Sequence, residues 1–243
     1  MDARGGPRTY RPQDGTVTRP DDGRQLSARL GFTAQRPARR ALERNEREVK
    51  VWLEHEYPAI AKRAKAESAE IQWADETGVS NQANYGKSFA PKGVTPNVPR
   101  TARKVTQSMI SSLTNQGRLR FMVYEGALNA ATFLAFLRCL IRDRSRKIFL
   151  ILDNLRVHHA EIVTEFVSAN ADKIELFFLP PYAPDCNPDE FLNNDLKQAI
   201  GRRRTPRDKP GLKSGIVSHM RTLQRRPERV RSFFQAPSVR YAA

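Results

Sequence analysis

Cysteine is almost missing from this chain. Cys139 and Cys186 stand far apart and form no C-x-x-C pair, which excludes a disulfide framework and a cysteine-rich zinc site and fits a reducing cytoplasm. No apolar run approaches the roughly 18 residues of a membrane span, and the N-terminus lacks the apolar centre of a signal peptide. No membrane partner is expected. There is no Gly-rich phosphate loop and no Ser-His-Asp order, so nucleotidase and serine-hydrolase chemistry find no support. No internal repeat is visible. Negative charge is the remaining scarcity: 26 Asp and Glu face 42 Lys and Arg, for a net charge of +16.

What is present starts with the placement of that charge. Residues 51–196 hold 17 basic and 17 acidic side chains and are neutral. Residues 1–50 hold 12 against 7, and residues 197–243 hold 13 against 2. A neutral body between basic ends predicts a polyanionic partner gripped by the ends while the middle performs chemistry. The 243 residues, 39% of them hydrophobic, suffice for one large cored domain with appendages.

The pattern along the chain divides it into four segments. Residues 1–25, rich in Gly, Pro, Asp and Arg, read as irregular. Residues 26–69 read as a helical N-terminal segment, with Pro58 separating two helices. Residues 70–203 carry the strands. The first, 70–76, ends in the pair Asp75-Glu76. Strand-like runs at 104–113 and 118–125 flank Asn115-Gln116-Gly117, a hairpin signal. A helix is predicted over 130–142, a buried strand over 147–152, a helix over 159–171, a buried strand over 174–179 and a helix from Asn187 to about 203. The order βββαβαβα predicts an α/β mixed sheet with helices on both faces, the ribonuclease-H-like architecture. Residues 204–243 read as a basic C-terminal tail with one helix.

Three acidic signatures lie in order, each at the edge of an apolar run: Asp75 after Ile71-Gln72-Trp73-Ala74, Asp153 after Phe149-Leu150-Ile151-Leu152, and Glu190 after a proline-rich loop. Oxygen ligands of this kind suit Mg²⁺ or Mn²⁺, and two such ions can clamp the attacking and leaving oxygens of a phosphodiester displacement. Each residue has a plainer reading. Asp75-Glu76 with Thr77-Gly78 can be a solvated turn or a helix cap. Glu190 sits three residues after Asn187 with Pro188 between, which is a capping-box pattern. Asp185 and Asp189 are rivals for the third ligand. Asp153, ending a central strand at the carboxyl edge where open α/β sheets place their sites, is the sharpest of the set. His158 fits a structural histidine or a phosphate contact. Lys197, two turns past Glu190 on the same helix face, fits a phosphate contact or a solvated lysine. Arg202, Arg203 and Arg204 follow that helix as candidate DNA contacts.

The motifs Trp73-Ala74-Asp75-Glu76-Thr77-Gly78, Leu152-Asp153-Asn154 with His158, and Leu179-Pro180-Pro181-Tyr182-Ala183-Pro184 followed by Asn187-Pro188-Asp189-Glu190 and Leu196-Lys197 resemble those of the transposases of mariner-related bacterial insertion sequences, members of the DDE superfamily of endonucleases. The resemblance covers about residues 26–240. It implies that Asp75, Asp153 and Glu190 form a metal-binding catalytic triad using Mg²⁺ or Mn²⁺, with two ions. It implies DNA cleavage and strand transfer at element ends and target, by a homodimer on DNA, in the nucleoid-associated cytoplasm. Two departures stand out. The family carries helix-turn-helix modules ahead of the catalytic domain, and only residues 26–40 resemble that region's tail. Where members often carry a Trp after the third acidic residue, this chain has Phe191-Leu192-Asn193-Asn194-Asp195. The alternatives are a truncated, non-catalytic DNA-binding remnant of a transposase and a ribonuclease-H-like nuclease.

Overall fold

The computed structural model describes residues 29–31, 41–82, 91, 93–95, 102–142, 146–202 and 206–243. Two units divide the chain, residues 1–41 and 42–243. Of the first, a short turn at residues 29–31 is described; the irregular segment expected over 1–25 lies outside the described residues. Everything below concerns the second unit.

Its centre is a five-stranded sheet in the order β3-β2-β1-β4-β5. The strands are β1 (Glu70–Ser80), β2 (Thr106–Leu113), β3 (Leu119–Tyr124), β4 (Ile148–Leu152) and β5 (Ile174–Phe178). β1 pairs antiparallel with β2 and parallel with β4, and β4 pairs parallel with β5. The predicted βββαβαβα order and the helices on both faces are observed. All five residues of β4 are buried, as expected of a central strand covered on both sides.

One face of the sheet carries α3 (Ala130–Ile141) and α4 (Glu161–Ala169), packed on Ala74, Ile148, Leu150 and Leu152. The other carries the N-terminal helices, α5 (Asp189–Arg202) and α6 (Lys209–Gln224), packed on Trp73, Phe149 and Ile151. No described helix is long and apolar enough to cross a membrane.

Three features differ from the sequence expectation. Pro58 does not separate two helices. α1 (Glu46–Val51) passes through a π-helical turn, Trp52–Glu56, straight into α2 (Tyr57–Ala66). The Tyr57 N–H reaches back to the Trp52 carbonyl, and this one-residue widening accommodates a proline that has no N–H and would crowd the carbonyl four residues before it. Next, β1 does not stop at the acidic pair. It runs on to Ser80 because β2 stays paired with it to the end, Ser80 facing Thr106. Last, residues 209–243 are not a tail on the domain but part of its core. Leu212, Ile216, Met220 and Leu223 line the buried side of α6, and a second short helix, α7 (Pro227–Ser232), leads into buried Phe233 and Phe234. The helical spacing of these apolar residues makes the segment amphipathic, leaving Lys213, Arg221, Arg225, Arg226, Arg229 and Arg231 outside.

The β2–β3 hairpin turns at Gly117, as predicted. Its φ of +92° is open to glycine, and a Cβ there would lie 2.5 Å from the Pro227 carbonyl oxygen. The turn is thus fitted against the start of α7.

Candidate active site

The site forms where β4 ends and β1 does not. Pairing of the two strands runs from Glu70 opposite Ile148 to Trp73 opposite Ile151. Continued by two residues, that register brings Asp75 level with Asp153, the first residue after β4. Beyond it, among the described residues, β1 has no strand neighbour on that edge, and a cleft of about 530 Å³ opens. It is lined by Asp75, Glu76, Asp153, Asn154, Asn187, Glu190 and the loop from Leu179 to Pro184.

α5 is fixed at this edge by Asn187. Its side-chain oxygen accepts from the Asp189 N–H at 3.0 Å, capping the helix, and its amide donates to the Ala74 carbonyl at 2.9 Å. The helix start is thereby tied to β1 one residue before Asp75. The Asn187 N–H bonds to the Pro184 carbonyl, so Glu190 does not close a capping box and its side chain lines the cleft. One turn on, the Asn193 amide donates to Asp75 Oδ2 at 2.8 Å, and the Glu76 N–H donates to Asp75 Oδ1 at 3.0 Å.

The rivals for the third carboxylate are engaged elsewhere. Asp185 pairs with Arg44. Asp189 is wholly buried, accepts from the Ser111 hydroxyl at 2.9 Å, and leaves its other oxygen without a partner. Neither lines the cleft.

His158 is buried rather than presented to a phosphate. Its Nδ1 lies 3.0 Å from the Asp153 carbonyl oxygen and 3.4 Å from Oδ1 of the same residue, and its ring packs 4.5 Å from Phe133. Burial holds its pKa down to about 4, so at neutral pH it is an uncharged ring donating from Nδ1 to Asp153. Asn154 is held by His159 at 2.5 Å. Lys197 is exposed on α5, and Arg202 closes that helix. Arg203 and Arg204 lie outside the described residues.

The electrostatics are those of crowded carboxylates. Burial raises Asp75 to about 8, helped by Glu190, Glu76 and Asp153. Burial raises Glu76 to about 7, helped by Asp153 and Glu190. Asp153 is raised by burial and by Glu190, against the Leu155 N–H, which favours its charge. Asp189 is raised well above the ordinary range, by burial first and then by Asp75. Among the described residues, no Lys or Arg lines the cleft.

The sequence patterns do not single out Asn193, Ser111 or Glu76 as site residues. A polar residue on the inner side of α5, three positions after Glu190, is the available signal for Asn193. Tyr182 on the cleft rim is another unforeseen feature: it is exposed and has a φ of +55°, a conformation that costs a non-glycine residue ~1–3 kcal/mol.

Among curated proteins no relative matches this chain. In fold it is similar to the Mos1 mariner transposase. Against a Mos1 paired end complex with Mn the TM-score is 0.64, with 16% identity over 92% of this chain and 71% of that one. Against the isolated Mos1 catalytic domain the TM-score is 0.54, with 16% identity over 82% and 96%. A family model described as DDE superfamily endonuclease matches residues 70–213, from the first residue of β1 into α6, and the chain belongs to that family.

Proposed function

We propose that this chain is the catalytic domain of a DDE transposase, which cuts DNA at the ends of a mobile element and joins the freed ends to target DNA. The carrying observation is that Asp75, Asp153 and Glu190, brought from β1, the end of β4 and the start of α5, line one cleft to which no Lys or Arg among the described residues contributes. The donor set fits Mg²⁺ or Mn²⁺: it is all oxygen, and it gathers half-buried like charges that a cation would offset. A divalent ion bound there supplies Lewis-acid stabilisation of the attacking and leaving oxygens at a phosphodiester.

The chain's own residues do the rest. Asp75, Asp153 and Glu190 hold the cations. Asn193 and the Glu76 N–H fix the Asp75 carboxylate, Asn187 fixes the helix that brings Glu190, and His158 fixes Asp153 from behind. The exposed arginines of α6 and α7, with Lys197 and Arg202, Arg203 and Arg204, bind DNA phosphates without reading sequence. Mos1 has been captured as a paired end complex and as a strand transfer complex; for this chain we extend that to a homodimer holding two element ends.

The test is nicking of a DNA duplex with Mg²⁺ or Mn²⁺ by the full chain. Wild type should nick, and Asp153→Asn should lose at least about 100-fold in rate, because even outer partners of metal ligands cost 10–100-fold. DNA binding by this variant should be unchanged or tighter, since one repulsive carboxylate is gone. Nicking by Asp153→Asn at the wild-type rate would overturn the assignment. Joining of a cut end to a second duplex separates a transposase from a simple nuclease.

A further inference from the structure

Asp75 and Glu76 are successive residues of β1, so their side chains leave the sheet on opposite faces. The alternation is kept. Asp75 is held by Asn193 of α5, on the Trp73 face, while Glu76 follows Ala74 on the α3 side, where His158 packs on Phe133. Both nevertheless line one cleft. The reason is a missing neighbour: among the described residues no strand covers that edge of β1 past Leu152, so side chains from both faces reach the gap.

The surroundings of Glu76 are unusual for a carboxylate. An oxygen of Glu76, an oxygen of Asp153 and a ring nitrogen of His158 all lie within 4.8 Å of one another. Among the described residues, no cation and no donor from another residue reaches the Glu76 carboxylate. Nor is the third member an ordinary satisfied histidine. His158 is 2% exposed, and with Nδ1 committed to the Asp153 carbonyl, its Nε2 is buried without a partner. Charge balance points the same way. Two divalent cations carry four positive charges, and the three triad carboxylates leave one unmatched before DNA arrives.

We propose that Glu76 is a fourth carboxylate of the divalent-cation centre, sharing a cation with Asp153 from the α3 face of the sheet. This rests on the reading that Asp75, Asp153 and Glu190 hold divalent cations, so the experiment must separate the two claims.

Mn²⁺ is titrated into the full chain without DNA, and free Mn²⁺ is followed by electron paramagnetic resonance. Wild type, Glu76→Gln and Asp153→Asn are compared, and each is melted in chelator. Glu76→Gln is expected to bind Mn²⁺ at least tenfold more weakly, to show a smaller Mn²⁺-induced rise in Tm, and to melt no lower than wild type in chelator, because it removes a repelled charge at constant size. If Asp153→Asn loses affinity while Glu76→Gln binds like wild type, the Glu76 assignment is wrong and the triad stands. If neither variant loses affinity, the metal reading of the cleft falls, and Glu76 with it. If Glu76→Gln melts below wild type in chelator, the residue is structural and the assignment is overturned.

Discussion

Without metal, the carboxylates that line the cleft should make the protein less stable as pH rises, and Asp75→Asn should relieve much of that loss. Asp75 moves from an ordinary 3.8 up to about 8 on folding. A carboxyl whose folded pKa lies above its unfolded value binds more protons folded than unfolded between the two. Stability therefore falls as pH rises through that window, from about 4 to about 8. Each pKa unit corresponds to ~1.4 kcal/mol, so between pH 5 and pH 8 Asp75 alone would cost about 4 kcal/mol. Because Glu190, Glu76 and Asp153 share the repulsion, about half of that, ~2 kcal/mol, belongs to the single substitution. For a chain of this size this corresponds to a Tm difference of roughly 4–8 °C. The amide fits the site. It still accepts from the Glu76 N–H, and Asn193, whose side-chain oxygen is buried without a partner, can turn to accept from the new amide. The assay is thermal unfolding in chelator at pH 5 and pH 8. Asp75→Asn should exceed wild type at pH 8 by clearly more than at pH 5, and saturating Mg²⁺ should restore wild type more than the variant. A variant no more stable than wild type at pH 8, or equally advantaged at both pH values, would refute the reasoning.

Gly117→Ala should destabilise by roughly 2 kcal/mol or more, measured by denaturant midpoint, because a side chain there strains the left-handed turn and collides with the Pro227 carbonyl. Tyr241→Phe should cost about 1–3 kcal/mol in the same assay. The hydroxyl accepts from Trp52 Nε1 at 3.2 Å and donates to the Cys186 carbonyl at 2.7 Å, so both partners are left unmatched on a buried face. Changing Arg202, Arg203 and Arg204 together to Ala should flatten the salt dependence of DNA binding by about 0.9 in log–log slope for each phosphate no longer neutralised, equally for every duplex tried. An unchanged slope would remove those residues from the DNA surface.

The local periods of the chain determined much of the architecture. A continuous apolar run of only five residues is too short for a buried helix and suits a strand covered on both sides, and β4 is that strand. Asn115-Gln116-Gly117 determined the hairpin because its last residue must adopt a positive φ. The placement of Asp153 followed directly, since an acidic residue at the carboxyl end of a central strand has nowhere to be but the sheet edge. What the chain alone did not decide depended on interactions between residues far apart. Whether β1 ends at Asp75 is decided by β2, which keeps pairing to Ser80. Which acidic residue of the third motif lines the cleft is decided by Arg44, which takes Asp185, and by Ser111, which takes Asp189 inward. The C-terminal arginines read as a tail because charge dominates their composition, but the intervening apolar residues have a partner only once the sheet has formed. Glu76 joins Asp75 in one cleft only because β4 is two residues too short to reach it, and strand length relative to a neighbour is a property of the assembled sheet.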